Sequence, residues 1–166
     1  MKSTVAQTVA HQNAVTATTP TEFDVVDLGP FDNNRNDMLA INDVGQCTGV
    51  SSSPESGRIE AFVQEKENGS RRMLGTLGGS FSIARGINNR GEVVGGSLTG
   101  DDENFHGFLY RGNALLDLND FLDPEAGWEL IQAFAINNRG EILGIGSHTG
   151  QDRIVLLRPK EMAATD

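Results

Sequence analysis

One short motif is written three times along the chain, as Ile41-Asn42-Asp43-Val44-Gly45, Ile87-Asn88-Asn89-Arg90-Gly91 and Ile136-Asn137-Asn138-Arg139-Gly140. The closing glycines, at positions 45, 91 and 140, lie 46 and 49 residues apart. A period of this size marks a chain built from stacked supersecondary units, and it restricts the fold more tightly than any composition does. The flanks repeat as well. Upstream, Val26-Asp27-Leu28-Gly29, Arg72-Met73-Leu74-Gly75 and Leu116-Asp117-Leu118-Asn119 align, and downstream so do Gln46-Cys47-Thr48-Gly49, Glu92-Val93-Val94-Gly95 and Glu141-Ile142-Leu143-Gly144. A last apolar segment follows each: Ile59 to Val63, Phe105 to Tyr110 and Ile154 to Leu157. The third copy is five residues longer between Asp117 and Asn137, where Asp123-Pro124 and Ala126-Gly127 signal a loop.

Each unit thus holds four strand-length segments at the spacing of an antiparallel meander. The fold class expected is all-β: three four-stranded antiparallel units resembling β-propeller blades, about 23–70, 71–113 and 114–159 within a single domain spanning 23–159. Glycine, 20 residues of 166, supports strands and turns over helices. Asn-x-x-Gly suits a type I turn that begins on Asn42, Asn88 or Asn137 and ends on Gly45, Gly91 or Gly140 with positive φ. Gly49, Gly95 and Gly144 recur where neighbouring sheets, or the axis, are expected to come close. Phe62, Phe108 and Val155 are expected to fill the space between sheets. Three blades fall short of the usual four to eight. Two chains closing a six-bladed ring, favoured as a dimer, meet the shortfall; a compact non-propeller packing of three sheets and a piece of a longer array are the alternatives.

A formal charge of −10 repels phosphate backbones and anionic lipids, which argues against nucleic-acid and membrane partners. No run of eighteen apolar residues is present. Cys47, the single cysteine, reads as a small buried hydrophobe. Residues 1–22 contain no Leu, Ile or aromatic residue and read as a flexible arm; 160–166 read as a tail. Without the continuous apolar stretch of a secretory signal, a cytoplasmic location is favoured.

Candidate chemistry is sparse. His106 could serve as general acid or base, oriented by Asp102 in the acidic string Asp101-Asp102-Glu103 before it, and His148 sits in the matching loop one unit on. The acidic string lacks the alternation of a calcium loop and reads as a solvated hairpin tip, so no metal and no cofactor is expected. Asp120, Asp123 and Glu125 beside Trp128 combine carboxylates with an aromatic face, as a cleft for a small polar or cationic ligand would, although a cap with Trp128 packed inward uses the same residues. Leu77-Gly78-Gly79-Ser80 has no Gly-Lys-Ser/Thr ending and no serine sits in a nucleophile elbow.

Leu74-Gly75-Thr76-Leu77-Gly78-Gly79, Ala84-Arg85-Gly86-Ile87-Asn88-Asn89-Arg90-Gly91-Glu92-Val93-Val94-Gly95 and His106-Gly107-Phe108-Leu109-Tyr110 resemble the HAF repeat family, named for its His-Ala-Phe tripeptide and regarded as extracellular. The likeness covers Asp24 to Pro159, and Leu118 through Trp128 is similar to the variant that closes such arrays. It implies a propeller-like β fold and an extracellular location, and it implies no particular activity. Glu60 and Arg153 stand where the second unit has His106. Two functions remain: a non-catalytic binding and self-assembly module for a small-molecule or protein ligand, or a small lyase, cyclase or hydrolase working through the non-repeated His and acidic residues.

Overall fold

A computed structural model describes residues 23–25, 37–65 and 69–160. Residues 1–22, Val26 to Gly29, the insertion from Pro30 to Asn36, and 161–166 lie outside the described residues. The chain is all-β. Three antiparallel meanders follow one another: β1 (Asp37–Ile41), β2 (Cys47–Ser52), β3 (Ile59–Gln64) and β4 (Arg71–Gly75); β5 (Gly78–Ile87), β6 (Val93–Thr99), β7 (Phe105–Arg111) and β8 (Ala114–Asp117); β9 (Trp128–Ile136), β10 (Ile142–His148) and β11 (Gln151–Leu157). A single parallel bridge, Ile59 to Phe81, links the first two meanders into an eight-stranded sheet, and β9 to β11 form a separate three-stranded sheet.

The segments expected to open the second and third units pair backwards instead. Arg71–Gly75 adds to β3 and Ala114–Asp117 adds to β7, each as the outer strand of the sheet that precedes it. A repeat has no intrinsic starting point, and sequential antiparallel pairing, through a two-residue turn in the case of β7 and β8, decides to which sheet these strands belong. Among the described residues β11 has no such outer strand.

Side chains from adjacent meanders meet in two apolar clusters. Ala61, Val63 and Leu74 pack against Ala84, Ile87, Val93 and Phe108; Val94, Leu109 and Leu118 pack against Leu130, Ala133, Ile136 and Ile142. Successive residues of a strand face opposite sides, so Val93 serves the first cluster and Val94 the second. The middle meander is therefore covered on both faces. Phe62 and Phe108 are fully buried, while Val155 is only partly buried at the edge of the second cluster. The glycines of β6 and β10 admit a strand of their own sheet and not a neighbouring sheet or an axis. A Cβ on Gly95 would lie 1.9 Å from the Ile83 carbonyl oxygen and one on Gly144 2.5 Å from that of Gln132. Both lie beside bulges in the inner strand.

The three Asn-x-x-Gly turns are alike. In each the glycine N–H donates to the first asparagine's carbonyl at 3.0 Å, and the glycine φ is +83°, +72° and +79° in order. The asparagine side chains also stitch one turn to the next. Asn42 Nδ2 donates to the Asn88 carbonyl at 2.9 Å, and Asn88 Nδ2 to that of Asn137 at 3.1 Å. In the same direction, Asp43 N–H donates to Asn89 Oδ1 at 3.0 Å and Asn89 N–H to Asn138 Oδ1 at 2.9 Å. Glu92, behind the middle turn, receives Asn88 Nδ2 at 2.5 Å and pairs with Arg90 and Arg111, each at 2.6 Å. Burial alone would raise its carboxyl, but these hydrogen bonds and positive charges outweigh that and hold it below the usual carboxylate range.

Candidate functional site

The β7–β8 hairpin turns through Gly112 and Asn113, both with positive φ (+59° and +66°), as a two-residue turn between paired Arg111 and Ala114 requires. That register sets Asp117 across from Phe108, on the edge beside His106. His106 Nδ1 donates to Asp117 Oδ2 at 2.5 Å, because an ionised carboxylate offers only acceptors. Asp117 Oδ1 accepts from the Asn119 backbone N–H at 2.9 Å and from its side-chain Nδ2 at 3.1 Å, capping the 3₁₀ turn Leu118–Phe121. Asn119 in turn grips β9: its Oδ1 accepts from Leu130 N–H at 2.6 Å and its Nδ2 donates to the Leu130 carbonyl at 3.0 Å. This brings Glu129 Oε1 to 3.5 Å from His106 Nε2. A carboxylate–imidazole–carboxylate line thus joins the second meander to the third, with His106 and Asp117 about four-fifths buried. With Nδ1–H given to Asp117, Nε2 is a bare acceptor in the neutral ring and an N–H donor toward Glu129 only in the protonated one, the two forms a proton carrier alternates between.

Asp102 does not orient His106. Its Oδ1 accepts from Ser80 N–H at 2.6 Å, pinning the β6–β7 loop to β5, and Asp117 takes the expected place. Asp101 is wrapped by its own loop, accepting from the Thr99 hydroxyl at 2.6 Å and from the Glu103 N–H at 3.0 Å, which hold its carboxyl well below the usual range. His148 stands across from Trp128 on β10, and the two rings stack at 4.5 Å between centroids. They flank the start of β9, one residue from Glu129. The acidic residues of the insertion do not gather around Trp128. Asp123 caps the 3₁₀ turn Pro124–Ala126 and lines a cavity of about 520 Å³ with Arg111, Phe121 and Arg158. Trp128 and Glu129 line another of about 390 Å³ with Ile154 and Leu156, while Asp120 and Glu125 line neither. Leu122, Leu156 and Leu157 border both cavities.

Asp117 and Glu129 are the partners of His106 that sequence reasoning missed. Asp117 carried a usable signal: a two-residue Gly112-Asn113 turn fixes the hairpin register and sets it near His106. Glu129 carried none, since its approach depends on the Asn119 grip across 11 residues. Among the described residues no group of three or more His, Cys, Asp or Glu is placed to hold a metal ion, and no helix is long and apolar enough to cross a membrane. No family, curated protein or solved structure was found to match this chain, so its likeness to HAF repeats rests on its motif residues alone.

Proposed function

We propose that the chain is a non-catalytic, propeller-like β-repeat module that assembles with a second copy and binds a small polar ligand or a protein beside the start of β9. The observation that carries this reading is the middle meander, apolar on both faces and packed side by side between its neighbours as a blade is between blades. Stacked units of this kind present surfaces and grooves, and the recurring asparagines serve turns and inter-sheet contacts and not chemistry. The ligand-binding residues proposed are Trp128, His148, His106 and Glu129, an aromatic stack beside a hydrogen-bonding imidazole and a carboxylate. Light scattering of the whole chain tests the assembly, with twice the chain mass expected. Titrating small cationic and polar compounds against the fluorescence of Trp128, the single tryptophan, tests the binding face.

The His106–Asp117 pair favours one second reading, a lyase, cyclase or hydrolase in which His106 carries the proton. On that reading a turnover found with any such substrate falls by roughly 10²–10⁴ in His106→Ala. Turnover that survives the substitution removes it.

A further inference from the structure

Resting on the reading of the chain as a self-assembling repeat, the geometry points to a specific head-to-tail interface: the third turn of one copy, Asn137 to Arg139, docks on the first turn of another, Asn42 and Asp43. The contact between adjacent turns has a direction. Each first asparagine donates its side-chain amide forward to the next turn's carbonyl, and each second residue donates its backbone N–H forward to the next side-chain oxygen. The arrangement occurs twice within the chain, from the first turn to the second and from the second to the third. Its two halves are left over at opposite ends.

At the forward end, among the described residues Asn137 Nδ2 has only Glu141 of its own turn and the Asn138 N–H reaches no further turn. Asn42 and Asn88 are buried, whereas Asn137 is exposed. At the rear end, among the described residues no preceding turn donates to the Asn42 carbonyl, and Asp43 keeps one carboxylate oxygen, Oδ1, without a partner while Oδ2 accepts from Asn89 Nδ2 at 2.8 Å. The apolar surfaces match. The face of the third sheet that corresponds to Val94 and Leu109 exposes Leu143 at 44% and Leu156 at 50%, with Ile154 beside them at 82%. At the rear, Ile41 is 69% exposed, although its counterparts Ile87 and Ile136 are buried under the preceding sheet. Charge selects the same partner. Arg90 reaches forward to the Asn138 carbonyl, so the equivalent and exposed Arg139 is placed to reach the carbonyl and carboxylate of Asp43 on the second copy. Two copies joined this way at both ends form a closed C2 ring of six units with neither half left over.

Engineered disulfides test it, in a Cys47→Ser background. Asn89→Cys with Asn138→Cys in one chain reproduces a contact already present and is expected to close within the chain, which calibrates the geometry. Asp43→Cys with Asn138→Cys is then expected to give a covalent dimer. Mixing the two single variants is expected to link one of each, and Asp43→Cys alone to link to nothing. Ile154→Lys, at an exposed position, is expected to weaken the dimer at least tenfold without changing the unfolding midpoint of the dilute monomer. A dimer with no 43-to-138 bridge, while 89-to-138 closes, overturns the head-to-tail interface and leaves self-assembly standing. A wild-type chain of monomer mass overturns both. A ladder of covalent products beyond two chains overturns the closed ring.

Discussion

The strands β6 and β10 occupy the same place in consecutive units and are buried differently. β6, Val-Val-Gly-Gly-Ser, is buried without a break from Val93 to Ser97, whereas β10 shows apolar Leu143 to solvent between buried Ile142 and Gly144. The turns before them contrast in the same way: Asn88 and Glu92 are enclosed, and Asn137 is open. Near-identical local sequence makes the same turn in both, so turn geometry is local. Burial is imposed by neighbours, and only the middle unit has a described neighbour on each side.

Asn88→Ala strikes this contrast hardest. Asn88 Oδ1 accepts from the Arg90 and Glu92 N–H groups while its Nδ2 serves Glu92 and the Asn137 carbonyl, so the substitution strands buried groups and is expected to cost about 2–4 kcal/mol in denaturant unfolding. Asn137→Ala, whose partners are open to water, is expected to cost about 1 kcal/mol. Equal losses would mean that the neighbour contributes nothing to the turn.

Next comes Glu92→Gln, expected to cost about 1.5–3 kcal/mol at neutral pH, because Glu92 joins Arg90 and Arg111 while largely buried. Its carboxyl lies below the ordinary value when folded, so the stabilisation is present above the ordinary carboxylate range and is lost as pH falls through the folded value. Unfolding curves of the two proteins are therefore expected to converge on acidification. Glu141, held low by hydrogen bonds from Arg139 and Asn137, is expected to show the same sign and a smaller change. The smallest contrast is between Gly91→Val and Gly140→Val, each expected to lose about 1–2 kcal/mol from left-handed strain, since φ is +72° and +79°. A marked difference between those two would show that the turns are less alike than their hydrogen bonds suggest.

The all-β class and the three turns were legible because period and turn chemistry are both local. The pairing of β4 and β8 was not, because an alignment of repeats gives their spacing and no information on which side of a cut a strand belongs. His106 was legible as a candidate, but proximity in sequence points to Asp102, four residues before it, whereas its partner lies across the hairpin in Asp117. The cleft around Trp128 failed for the same reason: Asp123 is close in sequence yet lies on the other side of Leu122.

The forward-pointing asparagine amides also bear on how a chain of this kind changes length. Since the middle turn both receives these bonds from the first and gives them to the third, a whole unit can be duplicated or deleted without any new contact having to be invented. Sequence drift in the flanking strands then matters little so long as the Asn-x-x-Gly corners persist. What limits unit number is curvature, the angle each sheet turns relative to the last, and a change of a few degrees there would alter how many copies complete a circle.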